Sequence, residues 1–156
     1  MKVPLLDLKP QYLSMEGELK EAFAKVFESQ HFIGGPQIAE LEKIVADYCG
    51  CEHAFGVSSG TDAILASLLS LGIGRSPVEN GPAPEVIVPT FTFFATAGSV
   101  WRAGAKPVFV DIDPVSFNIN CDLIEEKITE RTKAIIPVHL FGQCADMYKI
   151  MAIAKK

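Results

Sequence analysis

Residues 86–110, VIVPTFTFFATAGSVWRAGAKPVFV, decide the fold. Val86 to Pro89 is a short apolar run closed by proline and reads as a strand. Residues 93–103 read as a helix, and Pro107 to Val110 returns to valine and phenylalanine, a run that suits a strand buried on both faces. Strand, helix and strand in that order predict a parallel pair joined by a right-handed crossover.

The same alternation continues in both directions. Upstream, Ala54 to Val57 reads as a short strand, and Asp62 to Leu71 as a helix carrying Ile64, Leu65, Leu68 and Leu69 on one side. Downstream come an amphipathic stretch from Asp122 to Thr129, a strand from Ala134 to Val138 and a helix from Met147 to Ala154. The sum, βαβαβαβα, predicts an α/β fold: a three-layer, open, mostly parallel sheet with helices on both faces. Ligands of such sheets sit at the carboxyl ends of the strands. Residues 1–50 follow a different pattern and form an N-terminal helical segment, followed by an α/β part over 51–156. Met15, Leu19, Phe23, Val26 and Phe27 recur at helical spacing until His31 to Gly35 breaks the pattern. Pro36 then opens a second helix, with Ile38, Leu41, Ile44, Val45 and Tyr48 as its stripe and Gly50 as its stop. Gly74 to Glu85, GRSPVENGPAPE, holds three prolines and two glycines and reads as a surface loop.

Composition narrows the possible partners. With 156 residues, 49% hydrophobic and 21% charged, the chain is expected to fold around a core rather than remain disordered. A net charge of -5 gives no basic footprint, so neither nucleic acid nor an anionic membrane is an expected partner. No apolar stretch reaches the 18 residues of a spanning helix, and Pro4, Asp7, Lys9 and Pro10 interrupt any leader-like segment, so the expected location is the cytoplasm. Cys49, Cys51, Cys121 and Cys144 form no C-x-x-C pair; reduced thiols and no metal site are expected.

Two segments can carry chemistry. Val57-Ser58-Ser59-Gly60-Thr61-Asp62-Ala63 places small hydroxyl residues and a glycine between a strand and a helix start. The first amides of a helix have no intrahelical partner and carry the positive end of its dipole, so this turn can cradle a phosphate. Simple helix capping by Ser59 or Thr61 is the other reading. No G-x-x-x-x-G-K-[ST] is present, and Gly72-Ile73-Gly74 follows a helix with Pro77 at the third glycine position, so neither nucleotide signature applies. The second segment, Val88 to Thr96, places Phe91, Phe93 and Phe94 after a strand, where an aromatic face can stack on a flat heteroaromatic ligand. Ordinary core packing is its alternative. A phosphate cradle after one strand and an aromatic platform after the next describe a pocket for a phosphorylated aromatic cofactor.

SSGTDAI (Ser58 to Ile64), VIVPTFTFFAT (Val86 to Thr96), GAKPVFVDID (Gly104 to Asp113) and IIPVHLFGQCADM (Ile135 to Met147) resemble, in order, the motifs of the DegT/DnrJ/EryC1/StrS aminotransferases. FIGGPQIAELEKIVADYCG (Phe32 to Gly50) resembles that family's N-terminal helix and preceding loop. The resemblance implies part of the large domain of a fold type I aminotransferase. It further implies pyridoxal 5'-phosphate as cofactor, a homodimer, an amino-acid donor such as glutamate and a nucleotide-linked keto sugar as acceptor, in cell-surface polysaccharide or antibiotic sugar synthesis. By the same resemblance Gly60, Thr61 and Asp62 bind the cofactor phosphate, Asp62 through its backbone amide, and Phe93 stacks on the pyridine ring. Asp111 and Asp113 are expected to hold turns, and His139 and Gln143 to border the pocket.

The family's chemistry also needs a lysine that holds the cofactor and relays protons, and an aspartate on the ring nitrogen. Neither falls in a motif of this sequence, and Lys155 and Lys156 at a helix end are no substitutes. The expectation is therefore an N-terminal portion, with the small C-terminal domain absent and no activity of its own. A sugar dehydratase of the same family and a non-catalytic pairing or regulatory remnant are the alternatives.

Overall fold

The computed structural model describes residues 3–74 and 81–156. Residues 75–80, the middle of the proline-rich loop read above, lie outside the described residues. The chain divides into two compact units, Met1–Gly56 and Val57–Lys156.

The first unit is a pair of helices, α1 (Lys9–Ser29) and α2 (Pro36–Cys49). Both begin with proline in the first turn, where a missing N–H removes nothing the helix uses. At the end of α2, Gly50 takes a left-handed φ of 65° that costs a glycine little. Its amide and that of Cys51 close back onto Ala46 and Asp47, which satisfies carbonyls the helix leaves free. The apolar stripes are as spaced in the sequence, but their side chains stay largely open: α1 buries none of its residues and α2 only Ala46.

The second unit holds α3 (Gly60–Ser70), β1 (Glu85–Pro89), α4 (Ala95–Arg102), β2 (Lys106–Val110), β3 (Thr132–Ile135) and α5 (Met147–Ala154). The sheet is parallel, in the order β2-β1-β3, and β1 at its centre is buried at all five residues. Alternation along β1 divides the core. Val86 and Val88 pack with Leu68 of α3 and Val100 of α4, whereas Ile87 packs on the opposite face with Val110, Ile119, Ile124 and Ile150 of α5. Each such side chain, fully buried, contributes roughly 1.5–3 kcal/mol. The expected three layers are thus present.

Three details differ from the sequence reading. Ala54 to Val57 forms no strand; an extended apolar segment needs a ladder partner, and none pairs with it among the described residues. β2 is an edge strand buried on one face only, since Val110 is covered while Phe109 is half exposed. Residues 122–129 make short 3₁₀ turns, Cys121–Leu123 and Glu125–Lys127, in place of a continuous helix, with the Asn120 side chain accepting from the Asp122 amide to start the first.

At the amino edge of the sheet one carboxylate ties β1 to β2 and to the segment that leads into β3. Glu85, 2% exposed, accepts from Lys106 Nζ at 3.1 Å, Arg131 Nη2 at 2.6 Å and Thr129 Oγ1 at 2.7 Å. Glu85 stands opposite Lys106 of β2 and Thr132 of β3, so the cluster fixes the relative register of the strands.

Candidate active site

Parallel pairing puts the ends of β1, β2 and β3 on one edge, and the segments that follow them carry the candidate residues. α3 begins beside α4, the helix that follows β1: Ser99, fully buried in α4, donates to the Thr61 carbonyl at 3.0 Å, and Arg102 pairs with Asp62 at 3.2 Å.

The first turn of α3 is shaped by its own side chains. Ser59, extended at φ -162° and ψ 161°, caps the helix by accepting from the Asp62 amide at 3.1 Å. The Asp62 carboxylate accepts from Ser58 Oγ at 2.5 Å, Ser59 Oγ at 3.0 Å and Arg102 Nη1 at 3.2 Å. These bonds, the Ser58 hydroxyl foremost, hold its carboxyl below the ordinary carboxylate range. Capping and cradle are therefore compatible. The cap occupies the Asp62 amide, so that amide is not a free donor here. Among the described residues the Gly60 and Thr61 amides have no acceptor, and a side chain built at Gly60 would meet nothing within 4 Å.

The aromatic segment lies outside the core. Phe93 is 78% exposed and Phe94 81%, so core packing does not account for either. Phe94 covers Gly98, where an added Cβ would come within 2.7 Å of its ring. Phe91 meets Phe117 with ring centroids 6.0 Å apart. Phe93 has no ring partner among the described residues and keeps its faces open. The turn that presents it is braced by a contact between the Thr92 and Thr96 hydroxyls at 3.1 Å and by Thr90 Oγ1 donating to Asp111 Oδ1 at 3.0 Å.

Asp111 and Asp113 hold turns. Asp111 Oδ1 also takes the Ile112 amide, and Asp113 Oδ1 takes those of Val115 and Ser116, the latter lowering the Asp113 carboxyl most. After β3, His139 Nδ1 accepts from the Ala145 amide at 3.1 Å. Asn118, buried, receives the Leu140 amide on Oδ1 and gives Nδ2 to the Gln143 carbonyl, both at 3.1 Å. Asn118, Ser99 and Arg102 were not singled out in the sequence. Ser99 is a small polar residue among apolar neighbours on a helix, a weak hint of a buried bond; Asn118 carries no local signal.

The DegT/DnrJ/EryC1/StrS aminotransferase family model matches residues 13–156. The chain belongs to this family. It is 51% identical over all of its length to a pleiotropic regulatory protein of Geobacillus stearothermophilus, covering 40% of that protein. It is 43% identical, over 99% of its length, to a UDP-2-acetamido-2-deoxy-3-oxo-D-glucuronate aminotransferase of Pseudomonas aeruginosa, covering 41% of it. Among solved structures, the family member DesV of S. venezuelae, in complex with a ketimine intermediate, superposes with a TM-score of 0.90 at 40% identity, over 99% of this chain and 40% of that one. NtdA of Bacillus subtilis, with bound cofactor PMP, gives 0.87 at 38% identity, over 99% and 34%. The fold is thus part of the large domain of fold type I aminotransferases, and the chain spans about 40% of the length of the curated relatives it matches.

Proposed function

We propose that this chain forms the phosphate cradle and ring platform of a pyridoxal-phosphate sugar aminotransferase. The observation that carries the reading is the first turn of α3, where the open Gly60 and Thr61 amides stand at a helix N-terminus with free space beside Gly60. A phosphate there is held by two backbone donors and the helix dipole, without a lysine or arginine in direct contact. Asp62 serves the cradle indirectly. Its carboxylate gathers Ser58, Ser59 and Arg102, and its amide closes the cap, so the turn is set before a ligand arrives. The exposed Phe93 ring supplies the flat face on which a pyridine ring stacks.

Pyridoxal phosphate, when bound, supplies an electron sink through which an amino group leaves an amino acid and is later given to a keto carbon. Glutamate as donor, a nucleotide-linked keto sugar as acceptor, a homodimer and a cytoplasmic location belong to the same proposal. These 156 residues hold and orient the cofactor, and the proton relay needs a lysine from outside their motifs. The names of the Pseudomonas relative and of DesV's ketimine complex support an aminotransferase. A regulatory role is the second reading, favoured by the name of the Geobacillus relative.

Absorbance titration of the 156-residue chain with pyridoxal phosphate tests the proposal. Weak, reversible binding and no amino transfer from glutamate are expected. Binding that is absent favours the regulatory reading, and a stoichiometric adduct trapped by borohydride on one lysine contradicts the division of labour proposed here.

A further inference from the structure

The turn that follows β3 is fixed more firmly than its exposure requires. Asn118, 4% exposed, binds both sides of it, at the Leu140 amide and the Gln143 carbonyl. Between those two anchors Phe141 takes a left-handed φ of 53°, a conformation bulky residues seldom adopt, and leaves its ring 87% exposed. His139, at the start of the turn, is pinned by the Ala145 amide on Nδ1. A ring nitrogen that accepts an N–H carries no proton, so the proton of this imidazole sits on Nε2. The His139 side chain is exposed, and among the described residues Nε2–H has no acceptor. The ring is thus a single-tautomer donor, four residues beyond β3, on the edge where β1 runs on into the Phe93 segment.

We propose that His139 is a cofactor-binding residue, donating from Nε2–H to an oxygen of pyridoxal phosphate. The inference rests on the functional reading above and deepens it. The Ala145 amide fixes which nitrogen donates, and Asn118 fixes where the turn stands. Strain at Phe141 is tolerated because those bonds over-determine the backbone. A histidine kept only to hold the turn needs its Nδ1 acceptor and nothing more. The exposed Nε2 donor, in contrast, plays no part in holding the turn and stands open to a ligand.

Two substitutions separate these roles. His139→Asn places an amide oxygen near the Nδ1 position and keeps the turn bond, but lacks the distal donor. His139→Gln carries its N–H donor near the Nε2 position. Affinity for pyridoxal phosphate is expected to fall about tenfold in His139→Asn, as loss of one strong hydrogen bond implies, and to stay within about threefold of wild type in His139→Gln. Nitrogen-15 spectra of the wild-type chain should show a pyridine-like Nδ1 and a protonated Nε2, with Nε2 moving on addition of pyridoxal phosphate. Wild-type affinity in His139→Asn, or a saturated wild-type chain with Nε2 unmoved, overturns the inference. No binding by the wild-type chain removes this inference together with the reading beneath it, whereas binding with Nε2 unmoved removes this one alone.

Discussion

Ser59 decides the behaviour of the whole cradle. Its extended backbone is the conformation a residue preceding proline prefers, and Gly60 after it begins a helix, where proline is tolerated. Gly60→Pro therefore removes one open amide while leaving the cap, the Asp62 bonds and the helix in place. On heating, the helix signal in circular dichroism should fall over the same range in the two proteins, to within about 2 °C, however broad that range is, because surface changes away from buried groups usually stay within about 0.5 kcal/mol. At this scale the sequence marks the helix start at Gly60 and Thr61 and the aromatic Phe93 after β1, because small residues before a helix and aromatics after a strand carry their own local meaning. It was less informative for Asp62, whose amide and carboxylate both turn inward to shape the turn. Asn118 could not be found, since its partners lie 22 and 25 residues away.

Elements were legible where local residues mark their own ends. α2 runs from Pro36 to the glycine stop, and β1 matches its run of branched residues to within one position. Strand identity failed at Ala54 to Val57 and coverage failed at β2, because both depend on neighbours that periodicity does not name. Glu85 shows what register adds. Its carboxyl is lowered chiefly by the Thr129 hydroxyl, then by Lys106, with the charge of Arg131 contributing and burial opposing. A carboxylate lowered on folding contributes stability above its ordinary value near about 4.3 and loses it as pH falls through the lowered one. Denaturant unfolding between pH 7 and pH 3 should therefore show a loss of stability that is smaller in Glu85→Gln, where the lowered carboxyls of Asp62 and Asp113 remain but that of Glu85 does not. The variant should already be less stable than wild type at pH 7, because Lys106 and Arg131 lose their counter-charge. Equal pH profiles in the two proteins contradict the role given to this cluster.

The whole molecule carries more apolar surface than its two clusters cover. Phe23, Phe27 and Tyr48 in the first unit, and Phe93, Trp101, Phe141 and Tyr148 in the second, are each more than half exposed. Surface of this kind promotes association. The 156-residue chain should aggregate or melt broadly, so light scattering should rise with protein concentration; a cooperative melt from a soluble monomer contradicts this. The relatives are some two and a half times as long as this chain. The central claim, a phosphate held by the free amides of α3, is tested most directly by phosphorus NMR titration of pyridoxal phosphate with wild type and Gly60→Pro. The account predicts a phosphorus shift on binding to wild type and about tenfold weaker binding by the equally stable variant; equal affinities in the two proteins contradict it.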